Sequence, residues 1–190
     1  ELPQELRLTR NLARDFIKNE ILPLEQEIPH DSITIPDDHF DRLSKLTRDM
    51  GLWCIGVDEE HGGAGLSLFA NVVISEEIVQ HAAGLYCPAY GTMGTAPPEI
   101  IWAGSDYLSD KYGMSAVRNE KKGWFAITEP SGGSDPARAI QTTAKRDGDD
   151  WVINGSKIFI SGSPWGDWGI VFGRTDPESR RGITAFVVEN

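Results

Sequence analysis

The 190-residue chain has only two cysteines, Cys54 and Cys87. They are too few and too isolated for a disulfide framework or a CxxC metal site, and they fit reduced, structural thiols in a reducing compartment. Basic charge is also scarce. With 18 Lys and Arg against 29 Asp and Glu the formal net charge is -11, which argues against a nucleic-acid binder that works by neutralising many phosphates. One anionic ligand in a local pocket is still compatible with this charge. No apolar run reaches the length of a membrane span, and the opening ELPQELRLTR lacks a signal peptide's apolar core. The four histidines, at 30, 39, 61 and 81, are scattered, and only Glu77 and His81 stand at ligand-pair spacing on a helix. No metal site is expected, because zinc needs three or four converging ligands. There is no GxSxG elbow, no GxGxxG and no GxxxxGK[ST], which argues against a serine hydrolase, a Rossmann dinucleotide site and a P-loop.

What is present is a globular composition, 39% hydrophobic and 25% charged, enough for one large or two small domains. The hydrophobic period changes near residue 120. Before it, Leu6, Ala13, Phe16, Ile17, Ile21 and Leu24 recur at the spacing of one helix face, limited by Pro23 and Pro29. A second helix is predicted over 37–50 from Phe40, Leu43, Leu46 and Met50, with Pro36 in its first turn and Gly51 at its stop. A third, over about 68–82, is expected to bury Leu68, Val72, Val73 and Val79, and a fourth pair covers PPEIIWAG and SDYLSDKYGMSAVRN. After residue 120 come short β-rich runs: WFAIT, QTTAKR, DWVIN, SKIFIS, GIVFGRT and GITAFVVE. DGDD at 147–150 and NG at 154–155 read as hairpin turns, and no helix alternates with these strands. The predicted fold class is therefore α+β: a helical domain over 1–120 followed by an antiparallel β-barrel or sandwich domain over 121–190. The Glu59–Glu60 and Glu76–Glu77 pairs read as solvated surface, and Trp151, Trp165 and Trp168 as core or subunit packing.

One stretch asks for a ligand. FAITEPSGGSD, residues 125–135, puts a strand directly before a turn of Thr, Glu, Pro, Ser, two Gly, Ser and Asp. With no helix expected after it, such a turn presents its amides and hydroxyls without a helix dipole. Consecutive N–H groups can form an anion-binding nest, with Thr128 and Ser134 adding hydroxyl donors. An ordinary strand-to-strand turn explains the same composition.

FAITEPSGGSD together with WVINGSKIFISG resembles the paired signature of the acyl-CoA dehydrogenase flavoproteins, and GLWCIGVDEEHGGAGLS and GSDYLSDKYGMSAVRNEKKGWFAITEP resemble segments of the same family in the same order. The resemblance covers essentially the whole chain. It implies FAD as cofactor, held by Phe125, Ile127, Thr128, Gly133 and Ser134 from the first motif and by Phe159, Ile160 and Ser161 from the second. Thr128 would bond the isoalloxazine edge, Phe159 would pack beside the ring, and Ser134 would also contact the acyl-CoA substrate. Phe159 and Ser161 stand where Trp and Thr are commoner in the family, which keeps an aromatic face and a hydroxyl.

The resemblance further implies dehydrogenation of an acyl-CoA thioester to the trans-2-enoyl thioester, with electrons passed to an electron-transferring flavoprotein. It implies a homo-oligomer, dimer or tetramer, in a bacterial cytoplasm or a mitochondrial matrix. The family's general base belongs to a C-terminal helical domain, expected beyond Asn190, so no catalytic residue is expected within 1–190 and the β domain is expected to be incomplete. An acyl-CoA oxidase relative and a non-catalytic binding subunit are the alternative readings.

Overall fold

The computed structural model describes residues 2–82 and 88–190. Cys87 lies outside them, and Cys54 is a buried free thiol. The chain divides into two compact units, Glu1–Ala96 and Pro97–Asn190.

The first unit is helical. Its first helix, Gln4–Phe16, continues as a π-helical turn, Ile17–Ile21, and a last turn, Leu22–Leu24. Ala13, Phe16, Ile17, Ile21 and Leu24 stand at i, i+3, i+4, i+8 and i+11, so they share one face and enter one core with Leu43, Leu52, Ile74 and Ile78. Pro23 has no N–H to close an α-helical bond, and just before it the Leu22 amide reaches back five residues to the Ile17 carbonyl. The second helix, Asp37–Asp49, starts after Pro36 and buries Leu43, Ser44 and Thr47. The Thr47 hydroxyl is satisfied by donating to the Thr92 carbonyl.

The third helix, Leu68–Ile78, is capped by the Ser67 hydroxyl, which accepts from the Ala70 amide at 3.3 Å. Its buried face differs from the expected one. Val73 is buried as expected, but Leu68, Val72 and Val79 are 82%, 55% and 43% exposed, and Ala70, Ile74, Glu77 and Ile78 point inward instead. Apolar residues surround this helix on all sides, so their periodicity does not choose a face. An ion pair favours the face that packs: Glu77 is buried and accepts from Arg14 Nε at 2.9 Å and Nη2 at 2.5 Å, so it is not the solvated surface acid that the sequence suggests.

The second unit joins a helical run to a sheet. A 3-10 turn, Glu99–Ala103, precedes a helix that is α over Asp106–Leu108, π over Ser109–Met114 and α again over Ser115–Val117. Five strands follow: β1 Gly123–Ala126, β2 Thr143–Asp147, β3 Asp150–Asn154, β4 Trp168–Arg174 and β5 Ile183–Glu189. Ile101, Tyr112 and Ala116 pack against Trp168 and Ile170, whose period-two spacing puts both on one face of β4. Trp168 is the core tryptophan of the sheet, whereas Trp151 and Trp165 are 44% and 61% exposed.

The helical-then-β order stands, but the strand pairing is mixed where antiparallel pairing was expected. β2 with β3 and β4 with β5 are antiparallel, yet β1 runs parallel to β4 from Gly123 opposite Trp168 to Ala126 opposite Val171, and β2 meets β4 in parallel at Thr143 and Arg174. The long excursion between β1 and β4 is what permits a parallel return. The DGDD hairpin is present as the β2–β3 turn. NG at 154–155 is not a hairpin. A Cβ on Gly155 would lie 2.1 Å from Thr142 Oγ1, so glycine is required there by close approach to Thr142 just before β2, not by a turn. SKIFIS is likewise not a strand; it is irregular chain, with Phe159 at φ 60°. Among the described residues no helix is long and apolar enough to cross a membrane.

Candidate functional site

β1 ends at Ala126, and Ile127 and Thr128 carry the chain into the turn. The turn is closed by its own backbone: the Gly132 amide donates to the Glu129 carbonyl at 3.0 Å and the Glu129 amide returns a bond to the Gly132 carbonyl at 3.3 Å. A Cβ on Gly133 would sit 3.1 Å from Thr128 Cγ2, which gives the second glycine a steric reason. Downstream, Pro136–Ala139 forms a helix of four residues where none was expected. Pro136 pre-sets its first turn, and one turn is too short to contribute a useful dipole. Ser131 Oγ donates to the Ala139 carbonyl at 2.8 Å, and Arg174 of β4 donates to the carbonyls of Ala137, Ile140 and Ser179. These bonds hold the turn and the short helix around a surface cleft of about 400 Å³, whose lining includes Ser131, Gly133, Ser134, Asp135, Arg138 and Gln141.

The residue that organises this region was not singled out from sequence. Glu129 is 4% exposed. Its carboxylate accepts from the Gln141 amide at 2.6 Å, the Thr142 amide at 3.0 Å and Lys157 Nζ at 2.7 Å. Burial alone would raise its pKa. The Lys157 ammonium and the two amides outweigh burial and hold the carboxyl at about 2. Lys157 also donates to the Ile127 carbonyl at 3.3 Å, and the Ile158 amide donates to the Thr128 carbonyl at 3.0 Å. The signal in the sequence was an acid inside a Gly- and Ser-rich turn and a Lys inside an apolar run. Nothing local pairs two residues 28 positions apart.

The candidate residues thus fall on two segments that touch. Gly133 and Ser134 line the cleft, while Thr128 is bonded through its backbone to the segment that carries Phe159, Ile160 and Ser161. Phe125 packs edge-on against Phe172 at 5.1 Å and is still 43% exposed; Ile127 and Ile160 are half-buried. Phe159 is 86% exposed and holds a positive φ that a bulky residue rarely adopts. Among the described residues, the hydroxyls of Thr128, Ser134 and Ser161 have no protein partner. An uncovered aromatic ring, free hydroxyls and a glycine turn beside a strand end suit a planar ligand with a polar edge. Elsewhere, Asp58, Glu60 and His61 bring one ligand atom each within 4.8 Å of the others, on exposed chain. His81, spaced from Glu77 like a ligand pair, instead faces Glu25 at 3.6 Å and accepts from the Ala89 amide.

Comparison with known proteins extends this picture. Residues 3–120 match the family model "Acyl-CoA dehydrogenase, N-terminal domain", and residues 124–190 match "Acyl-CoA dehydrogenase, middle domain". A 3-(aryl)acrylate reductase of Clostridium sporogenes is 37% identical over 98% of this chain and 48% of its own length. A caffeyl-CoA reductase–Etf complex subunit of Acetobacterium woodii is 30% identical over 98% of this chain and 48% of its own. Among solved structures, a glutaryl-CoA dehydrogenase from Mycobacterium smegmatis in complex with FADH2 superposes with a TM-score of 0.76 at 26% identity, over 99% of this chain and 46% of that one. The chain spans about half the length of these relatives. With both matched domains in order, a helical unit followed by a mixed sheet, the chain belongs to the acyl-CoA dehydrogenase family.

Proposed function

We propose that the full protein is an FAD-dependent enzyme that removes the α and β hydrogens of an acyl-CoA thioester to give the trans-2-enoyl thioester and passes the electrons to an electron-transferring flavoprotein. The observation that carries this reading is the juncture of two loops, in which Ile158 bonds the Thr128 carbonyl beside an uncovered Phe159. The site residues fit a flavin: Phe159 offers an apolar face, Thr128 and Ser161 offer hydroxyls, and Gly133 and Ser134 line the cleft. FAD, when bound, supplies the hydride acceptor for the β carbon.

The protein's own groups bind and orient. The Thr128 hydroxyl would donate to the ring edge that gains negative charge on reduction, which lowers the barrier only if the donor is already in place. Phe159 would cover one ring face and exclude water from it. Ser134 would meet the thioester or the cofactor's phosphate region, and Phe125, Ile127 and Ile160 would wall the ring. Glu129 is unsuited to take the α proton, because a carboxyl held at about 2 is a very weak base. We assign the general base to the part of the relatives' length that this chain does not span. The same couple runs in either direction, and the names of the Clostridium and Acetobacterium relatives describe the reducing one. Association through subunit copies, as dimer or tetramer, belongs to this proposal.

Full-length protein tests it directly. Purified protein should be yellow and retain about one FAD per chain, and the flavin band should bleach anaerobically when an acyl-CoA is added. Protein that takes up no FAD would end the reading. FAD that bleaches with no acyl-CoA tested would leave a flavoprotein of another substrate class.

A further inference from the structure

Every candidate flavin residue lies on one of two segments, 125–134 and 159–161, and neither is regular structure past Ala126. Irregular loops hold a ligand geometry only when something else fixes them. Two side chains tie these segments together. Glu129 sits inside the first segment, and Lys157 stands two residues before Phe159; their ion pair is 2.7 Å long, with side chains 4% and 10% exposed. Each has further bonds that widen the tie. Glu129 accepts the Gln141 and Thr142 amides at the entry to β2, and Lys157 donates to the Ile127 carbonyl just after β1.

We propose that Glu129 and Lys157 are positioning residues for the flavin, holding Thr128 and Phe159 at a fixed separation so that one ring can meet both. This rests on the flavin reading above. The pair touches no reacting atom. Glu129 supplies the charge that keeps Lys157 buried, and Lys157 in turn keeps the carboxylate ionised at the floor of the turn. A hydrophobic pair could fill the space, but it could not satisfy two backbone amides and a carbonyl at the same time. Removing one partner therefore frees the turn from the second segment, and the bond most directly exposed to that release is Ile158 to Thr128.

The experiment uses full-length protein with Glu129→Gln, Lys157→Met and the neutral pair Glu129→Gln/Lys157→Gln, the last chosen because it keeps polar atoms in place without an unpaired buried charge. Two quantities are read. The first is amide exchange of the peptide covering 156–161 in the apoprotein. The second is the FAD dissociation constant, measured together with the shape of the bound flavin's visible band, in samples whose far-ultraviolet circular dichroism matches wild type. We expect exchange at 156–161 to rise about tenfold in the single variants, FAD affinity to fall tenfold or more, and the double variant to recover part of both. A band shape that shifts toward that of free flavin would show altered ring surroundings, which mere loss of stability does not produce. Wild-type exchange at 156–161, or wild-type FAD affinity and band shape in a variant that only melts earlier, would overturn the proposal. Wild-type protein that binds no FAD would overturn the flavin reading instead, and the exchange result would still show whether the pair fastens the two segments.

Discussion

Two buried carboxylates, one in each unit, teach different lessons. Glu77 and Glu129 are 6% and 4% exposed; Glu77 bonds Arg14 with Arg10 at 3.9 Å beside it, and Glu129 bonds Lys157. Glu77 takes Arg14 from a regular helix, and that guanidinium is half in solvent. Glu129 takes a buried Lys and two backbone amides, all from irregular chain that carries the candidate site. The first pair selects which face of an all-round apolar helix packs inward. The second fixes loops whose conformation no periodicity dictates. The same pairing chemistry thus serves helix packing in one unit and ties together the loops that carry the candidate residues in the other.

Substitutions at the two carboxylates separate these roles. Glu129→Gln should have the largest effect, because it strands a buried ammonium: about 3–5 kcal/mol of stability by denaturant unfolding, together with the loss of FAD affinity described above. Glu77→Gln should lower the melting temperature by roughly 2–5 °C, since the half-exposed Arg14 can turn to water although Arg10 at 3.9 Å also loses its counter-charge, while FAD affinity stays within about twofold of wild type. Equal losses of FAD affinity in both variants would erase the distinction between them.

Acid provides a milder probe. The folded pKa of Glu129 is depressed from 4.5 to about 2, so its contribution is complete above pH 4.5 and is lost as pH falls toward 2. That window should carry about 2–4 kcal/mol of pH-dependent stability attributable to Glu129. In Glu129→Gln the slope of unfolding free energy against pH should flatten there, which equilibrium denaturation at several acid pH values would detect. An unchanged slope would remove the depressed pKa. Phe159→Ala, at an 86% exposed position, should leave apoprotein stability within about 0.5 kcal/mol and weaken FAD by about tenfold. A stability loss with unchanged FAD affinity would make Phe159 a packing residue.

Much of the fold was legible because its signals are local. The helix over 37–50 has a Pro before it, a stripe through Leu43 and a Gly after it, and DGDD closes the β2–β3 hairpin. What was misread depends on distant partners. Leu68, Val72 and Val79 look as buried as Ile74 and Ile78 until Arg14 draws Glu77 inward. SKIFIS alternates like a strand, but Lys157 is committed to Glu129 and Phe159 turns out at positive φ, so no ladder can form. Gly155 reads as a turn residue, whereas the Thr142 side chain is what demands it. The candidate site was legible as motif residues, Thr128 and Phe159 among them. The ion pair that joins their segments was not, because its members are 28 positions apart and only the folded chain brings them together.

The central claim, that the loop juncture is a flavin site, rests most directly on Thr128. Thr128→Val keeps the shape and removes the one hydroxyl donor that the strand end presents. The measurement is anaerobic stopped-flow bleaching of the flavin band in full-length protein with saturating acyl-CoA, beside an unfolding curve. If Thr128 bonds the flavin, bleaching should slow about tenfold or more with stability changed by only about 1 kcal/mol. Wild-type bleaching in a variant that has lost stability would contradict it and leave Thr128 an ordinary residue of the turn.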